Sequence, residues 1–363
     1  MELRLKRPEQ PLTARWRELP IARRGSTLLG ISFRPRQVEA LGLDGPETLR
    51  RLLAYPFQMI RLGAYWNRIE ATPAAFDTSE LDWQLDAAER AGKQVIVAVG
   101  AVKTFGYPEF FVPAHCLPQP LREGSLVEPT AYPTLIDRAS QFITRLVTRY
   151  RDRPSVVAWQ LEHEAVDPLG VEHTWRLAVS FVERELKALR AADPSRPVLM
   201  NGFLPTSSLV RVSQWWRTRD QGDSLVVAAR LADIIGIDYY PRHALRRLGG
   251  RTLYLDGGDG PSRRARRPKQ LAAARARGAR VMVSEGQAEP WEAVTVPPNP
   301  ARQALYSCPP EQLIRAYNAA IGWSRPETPL HAYLFWGAEY WVVRDRSGDP
   351  SYLQAFERVL TSA

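Results

Sequence analysis

The strongest constraint on the fold is a set of eight short runs of apolar and β-branched residues spread along the chain. They are TLLGISF (27–33), QMIRLGA (58–64), QVIVAVG (94–100), SVVAWQL (155–161), PVLMNG (197–202), DIIGIDYY (233–240), RVMVSE (280–285) and HAYLFWG (331–337). Each is apolar at consecutive rather than alternate positions. Strands covered on both faces read this way, and such strands belong to parallel sheets. Amphipathic stretches lie between the runs. Across 135–150, Leu135, Ala139, Phe142, Ile143, Leu146, Val147 and Tyr150 keep the spacing of a helix with one apolar stripe. Across 78–92, Thr78 and Ser79 are candidate N-caps, Leu81, Leu85 and Ala88 form the stripe, and Gly92 is a stop signal. Eight strand–helix units in succession predict an α/β protein, a single (β/α)8 TIM barrel spanning 27–363 behind an N-terminal extension, 1–26. A doubly wound sheet is the rival architecture. No GxGxxG or GxxxxGK[ST] follows any run, so dinucleotide and P-loop chemistry fall away. Three long connections, 101–134, 241–279 and 286–310, follow strands three, six and seven. In a barrel they leave from the C-terminal face, where active sites are built.

Composition excludes several classes. The two cysteines, Cys116 and Cys308, allow one bridge at most, and no CxxC pair suggests zinc or redox chemistry. His115 beside Cys116 lacks ligand partners at metal spacing, and His163-Glu164 does not open an HExxH motif because residue 167 is Asp. No metal or organic cofactor is expected. The longest apolar stretch, Val95–Val102, is far short of the ~20 residues that span a bilayer, and the first twenty residues contain no apolar signal core. The expectation is a cytoplasmic protein with no membrane partner.

The charge is local. The formal net charge is +10, and residues 242–280 alone carry twelve Lys or Arg against two acids, Asp256 and Asp259. Everything outside that segment balances to zero. RRARRPKQLAAARARGAR (263–280) has no interleaved aromatics, so it reads as a solvated helix face, and no nucleic-acid partner is expected. Its first part, with Arg242, His243, Arg246 and Arg247, should leave from the barrel's C-terminal face, where it would meet a uronate, sulfate or phosphate on a substrate.

The residues at strand C-termini are the candidates for chemistry. WQLEHEAVDP places Glu164 just beyond strand four, and VMVSEGQAEPW places Glu285 at the end of strand seven. Strand six ends in Tyr239 and Tyr240, which should point to opposite sides. Strand eight ends in Trp336, and strand two carries Arg61 and leads to Trp66. Two carboxylates across a barrel mouth suit glycoside hydrolysis, where one protonates the departing oxygen and the other attacks the anomeric carbon or directs water at it. Trp66, Trp291, Trp336 and Trp341 supply rings of the kind that stack on sugars. Glu162 and Glu289 compete for the carboxylate roles, and Asn201, Glu339 and Trp341 are further rim candidates.

At this point the sequence resembles the retaining glycoside hydrolases of clan A, the (β/α)8 group that includes the cellulase-like family 5 and families 39 and 42. IRLGAYWNRIEATPAAFDTSELDWQLDAAERAGK, VVAWQLEHEAVDP, ADIIGIDYYP and VMVSEGQAEPW carry the resemblance, in the expected strand order, over roughly 27–345. It implies Glu164 as acid/base and Glu285 as nucleophile. It further implies Arg61 beneath the nucleophile, Tyr240 bonded to it, and Trp336 as the floor of the sugar subsite. His163 stands where the clan usually has Asn, the residue that bonds the sugar 2-hydroxyl; the His-Glu pair resembles that of some mannanases. Ala165 replaces a frequent Pro. The implied activity is double displacement on an oligosaccharide or glycoconjugate. Transglycosylation and a non-catalytic carbohydrate-binding barrel are the alternative readings.

Overall fold

The computed structural model describes residues 2–117, 119–167, 175–204, 212, 221–256, 275–276, 278–294, 299–324 and 329–362. The eight apolar runs become eight strands: β1 (Leu28–Ser32), β2 (Met59–Gly63), β3 (Gln94–Ala98), β4 (Val156–Gln160), β5 (Val198–Phe203), β6 (Ile234–Tyr239), β7 (Arg280–Gln287) and β8 (Ala332–Trp336). They close into one parallel barrel in sequence order, ringed by helices, a single (β/α)8 TIM barrel. Among the described residues no helix is long and apolar enough to cross a membrane.

The chain divides into two compact units, and each has its own interior. The first comprises Met1–Met59, Leu204–Ser208 and Asp238–Ala363. Here β7 pairs with β8, Val283 opposite Tyr333, and β8 pairs with β1, Ala332 opposite Leu28. Beside β1 the Gln58 N–H donates to the Leu29 carbonyl. A Cβ on Gly30 would stand 2.0 Å from the Met59 carbonyl oxygen, so only glycine permits this approach. The helix Ala338–Arg346 buries Arg344 completely. Its guanidinium bonds Asp349 and the carbonyls of Asn299, Pro300, Ala301 and Gln303. A buried charge is tolerable only when its donors are used in this way.

The first part of the basic region after β6 is a hairpin, ahead of the stretch 263–280 that reads as a helix face. Arg242–Leu248 and Arg251–Asp256 form an antiparallel hairpin, turning at Gly249 (φ +60°) and Gly250. A Gly-Gly pair between two short runs is the two-residue hairpin signal, here overshadowed by the density of arginines. Glu2–Lys6 adds a third strand along Arg251–Asp256, and Glu9–Pro11 pairs with Gln303–Leu305. The N-terminal extension is thereby stitched into the later loops of its own unit. Most of 263–280 lies outside the described residues.

The second unit comprises Ile60–Phe203 and Leu209–Ile237. Ile96 of β3 lies opposite Ala158 of β4, and Trp159 of β4 opposite Val198 of β5. The helix Pro133–Tyr150 buries every residue of the stripe read from its sequence. Ser79–Arg90 covers the second periodic stretch, with Leu81, Leu85 and Ala88 inward. Asp223 caps Ser224–Leu231 by accepting the Val226 N–H at 2.9 Å.

Gly30→Ala is expected to lower stability by roughly 3 kcal/mol through overpacking. Gly250→Ala, with nothing within 4 Å of a new Cβ, should change it by less than about 0.5 kcal/mol. Urea unfolding midpoints of the two variants check this.

Candidate active site

Each unit carries one group of candidate residues. In the first unit Glu285 stands near the end of β7, 2% exposed. The Tyr240 hydroxyl donates to Glu285 Oε2 at 2.6 Å. Burial, and then the Glu285 carboxylate, push the Tyr240 phenol well above its ordinary range, so it remains a donor at all working pH. Tyr239, pointing the other way, packs edge-on against Trp323 at 4.8 Å. A bond from Ser284 Oγ to Asp238 Oδ1, 2.7 Å, ties the ends of β7 and β6.

Trp291 opens the short helical turn Trp291–Val294 and is 40% exposed, its ring steeply inclined to those of Tyr240 (5.4 Å) and His243 (5.0 Å). It is the exposed ring of this group, beside the tyrosine that holds Glu285. Burial lowers the His243 imidazole to about 4, so it is neutral. Arg242, expected to be offered to an anionic substrate, is engaged with Asp256 (3.2 Å) and the Tyr306 carbonyl (3.0 Å). Arg246 and Arg247 lie exposed on the hairpin.

Trp336 ends β8 at 8% exposure, with the Arg34 guanidinium 4.3 Å over its ring. Arg34 is the residue the sequence reading missed. It directly follows the first apolar run, and its guanidinium forks to Glu289 (2.6 and 2.8 Å) and Glu339 (3.0 and 2.6 Å). Although burial opposes its charge, the two carboxylates hold Arg34 well above the ordinary arginine range. Glu289 and Glu339 are therefore anchors. Trp341 is buried too, donating from its indole to the Ala288 carbonyl.

In the second unit β4 stops at Gln160, and the chain turns sharply beyond it. Glu162 (φ +41°) and Glu164 (φ +42°) both take the left-handed conformation that non-glycine residues rarely adopt. The alternation that would have put the two glutamates on one strand face is broken by this turn. Glu162 caps the Val102 and Lys103 N–H groups (2.9 and 2.5 Å), and Lys103 Nζ donates to the carbonyls of Glu164 (2.7 Å) and Asp167 (3.0 Å). Glu164 itself is 8% exposed.

A chain of bonds orients His163. Arg61, fully buried on β2, donates from Nη1 to Gln160 Oε1 at 3.2 Å. Guanidinium groups only donate, so this end of the Gln160 amide is the oxygen and Gln160 Nε2 donates to Asn201 Oδ1 at 3.1 Å. Asn201 Oδ1 accepts the Glu164 N–H as well, at 3.4 Å. The Asn201 amide nitrogen then donates to His163 Nδ1 at 2.9 Å, which makes Nδ1 the acceptor and places the imidazole proton on Nε2. Asn201 gains a defined role, and Gln160, a polar residue in an apolar run, is the signal that was legible but unread.

Trp66 requires a correction. It is fully buried, stacked on Phe142 of the helical layer at 5.4 Å, with its indole N–H bonded to Glu70 at 2.8 Å. The ring that follows strand two is core packing and presents no face to a sugar.

No protein-family model matches the chain, and no curated protein matches as a relative. Solved structures do match. The chain is similar to a GH5_18 enzyme from Streptomyces cattleya, in complex with Manβ1-4GlcNAc, at TM-score 0.62 and 16% identity, covering 93% of this chain and 80% of that one. It is also similar to xylanase 10B from Thermotoga maritima, at TM-score 0.56 and 13% identity over 93% and 95% of the two chains. The exo-β-1,4-mannosidase Op5Man5 from Opitutaceae bacterium strain TAV5 matches at TM-score 0.53 and 16% identity, over 88% and 55%. The fold is the one these glycoside hydrolases share.

Asn201→Asp removes the amide donor and leaves a carboxylate that only accepts. The His163 proton is then expected to move from Nε2 to Nδ1. Nitrogen-15 spectra of the histidine-labelled protein check this, and an unchanged tautomer would overturn the relay.

Proposed function

We propose that the protein is a retaining β-glycosidase acting by double displacement, with Glu285 as nucleophile and Glu164 as acid/base. The observation that carries this reading is the position of the two glutamates, one ending β7 and one just beyond β4, in a closed parallel barrel. Glu285 Oε1 or Oε2 attacks the anomeric carbon while the bond to the departing oxygen breaks, and the Glu164 proton goes to that oxygen. Water then attacks the same carbon, Glu164 takes its proton, and Glu285 leaves as carboxylate. Tyr240 orients Glu285 by donating to one of its oxygens. His163, with its proton on Nε2, replaces the usual asparagine as donor toward the sugar 2-hydroxyl. Trp336, held beneath Arg34, floors the subsite, and the exposed Trp291 is offered to the next residue.

The proposed substrate is a β-mannosyl glycoconjugate of the Manβ1-4GlcNAc kind. His163-Glu164 supports it, as do the disaccharide bound by the Streptomyces cattleya enzyme and the mannosidase name of a second similar structure. Hydrolysis of aryl β-mannosides and Manβ1-4GlcNAc, with the first-formed anomer read by proton NMR, tests the reading. Glu285→Gln should lower kcat by roughly 10⁴-fold on any cleaved substrate. Azide should restore turnover of an activated aryl glycoside by Glu164→Ala with a β-glycosyl azide as product. Wild-type turnover by Glu285→Gln would sink the nucleophile assignment. Sugar binding without cleavage across a broad panel would instead favour a non-catalytic binding barrel.

A further inference from the structure

The turn that carries Glu164 rests on a second acidic residue that the proposed chemistry does not use. Glu185 lies on the helix Val179–Ala192, fully buried, facing the Glu162 carboxylate. Neither Glu185 oxygen has a hydrogen bond of ordinary geometry among the described residues. Glu162 is 1% exposed, and its two oxygens are fixed by the N–H groups of Val102 and Lys103. The site is tight on that side, since a Cβ on Gly100 would fall 2.2 Å from the Glu162 nitrogen.

Charge decides the state of the pair. Among the described residues, Lys103, from the connection after β3, and Glu185 act most strongly on Glu162, and Glu162 acts on Glu185. Lys103 is 1% exposed and balances one carboxylate. A second ionised carboxylate in the same dry wall has no partner, and two such groups in contact do not both ionise. As a purely structural residue Glu185 is a poor choice, because an apolar side chain there would be better solvated by its surroundings. We propose that Glu162 and Glu185 share a single proton, and that this protonated pair is the latch holding the left-handed Glu162–Glu164 turn, and with it the acid/base, in place.

The latch acts through the Lys103 backbone and side chain. Glu162 holds the 102–103 backbone, the Lys103 carbonyl accepts the His163 N–H at 2.7 Å, and Lys103 Nζ holds the Glu164 carbonyl at 2.7 Å. Ionising the pair sets two negative charges against each other beneath the turn and drives Glu162 from its cap. Glu185 is thus a positioning residue. Burial and the neighbouring Glu162 hold its proton well above the usual carboxylate range, whereas the unfolded chain releases it near the ordinary value. Stability from the pair is therefore complete in acid and is lost as pH rises from the ordinary carboxylate range through the raised one.

The test reads the proton itself. Between pH 5 and the raised titration point, the wild-type unfolding constant should climb by up to ~10-fold per pH unit from this one proton. Glu185→Gln, isosteric and unable to ionise, should remove that component of the slope. Infrared spectra at neutral pH should show a protonated-carboxyl stretch in the wild type that is weaker by one carboxyl in Glu185→Gln, where only that of the acid/base Glu164 remains. An unaltered slope in the variant overturns the proposal, and so does a band of undiminished strength or a wild-type spectrum without one. The wild-type spectrum needs no variant that folds. The positioning role rests on Glu164 being the acid/base, and its readout is the alkaline limb of kcat/KM, which should lose the contribution of one proton in Glu185→Gln. If no glycoside is cleaved, the functional reading fails while slope and spectrum still decide the pair.

Discussion

Every strand of this barrel is parallel to its neighbours, and that single condition arranges the rest. Parallel strands have both faces covered, so the strands are apolar almost throughout and reactive side chains collect where the strands end. Polar residues placed inside neighbouring strands are tied to one another. Arg61 on β2 reaches Gln160 on β4, which reaches Asn201 on β5, so that a relay runs from strand to strand around part of the wall. Ser284 and Asp238 make a shorter link of the same kind. The wall is apolar by volume, yet its polar exceptions orient what stands at its rim.

Arginine does much of this orienting. The chain has five lysines among its 49 basic residues, and among the described residues the buried Arg34 and Arg344 each span several acceptors at once. Arg34 joins two glutamates over the ring of Trp336, Arg344 gathers the carbonyls of Asn299, Pro300, Ala301 and Gln303, and Arg61 fixes the orientation of Gln160. A planar fork with five donors can do so, whereas an ammonium on a flexible stem cannot fix two planes together.

The barrel was legible because its evidence is local. Apolar runs and helical stripes are properties of ten or fifteen neighbouring residues, and each strand begins or ends within two residues of its run. The positions of Glu164, Glu285 and Tyr240 at or just beyond strand ends were legible for a related reason, since strand ends can be read once strands can. What stayed hidden depends on residues far apart in the chain. Arg34 is 255 residues from Glu289, and Asn201 is 38 from His163. The hairpin at Gly249–Gly250 had a local signal, but its third strand comes from Glu2–Lys6. Trp66 misled because an aromatic after strand two has two possible directions, and the Phe142 face of the helical layer won.

On the proposed function, the relay separates His163, the donor toward the sugar, from the residues that decide what it offers. His163 presents a donor because of an amide orientation set two residues away in space, by groups that no ligand reaches. Mapping preference for one sugar over another by contact alone would leave Gln160 and Asn201 off the map. Under that proposal, reversing one buried amide in the barrel wall would change what His163 offers a sugar, with no residue at the rim replaced.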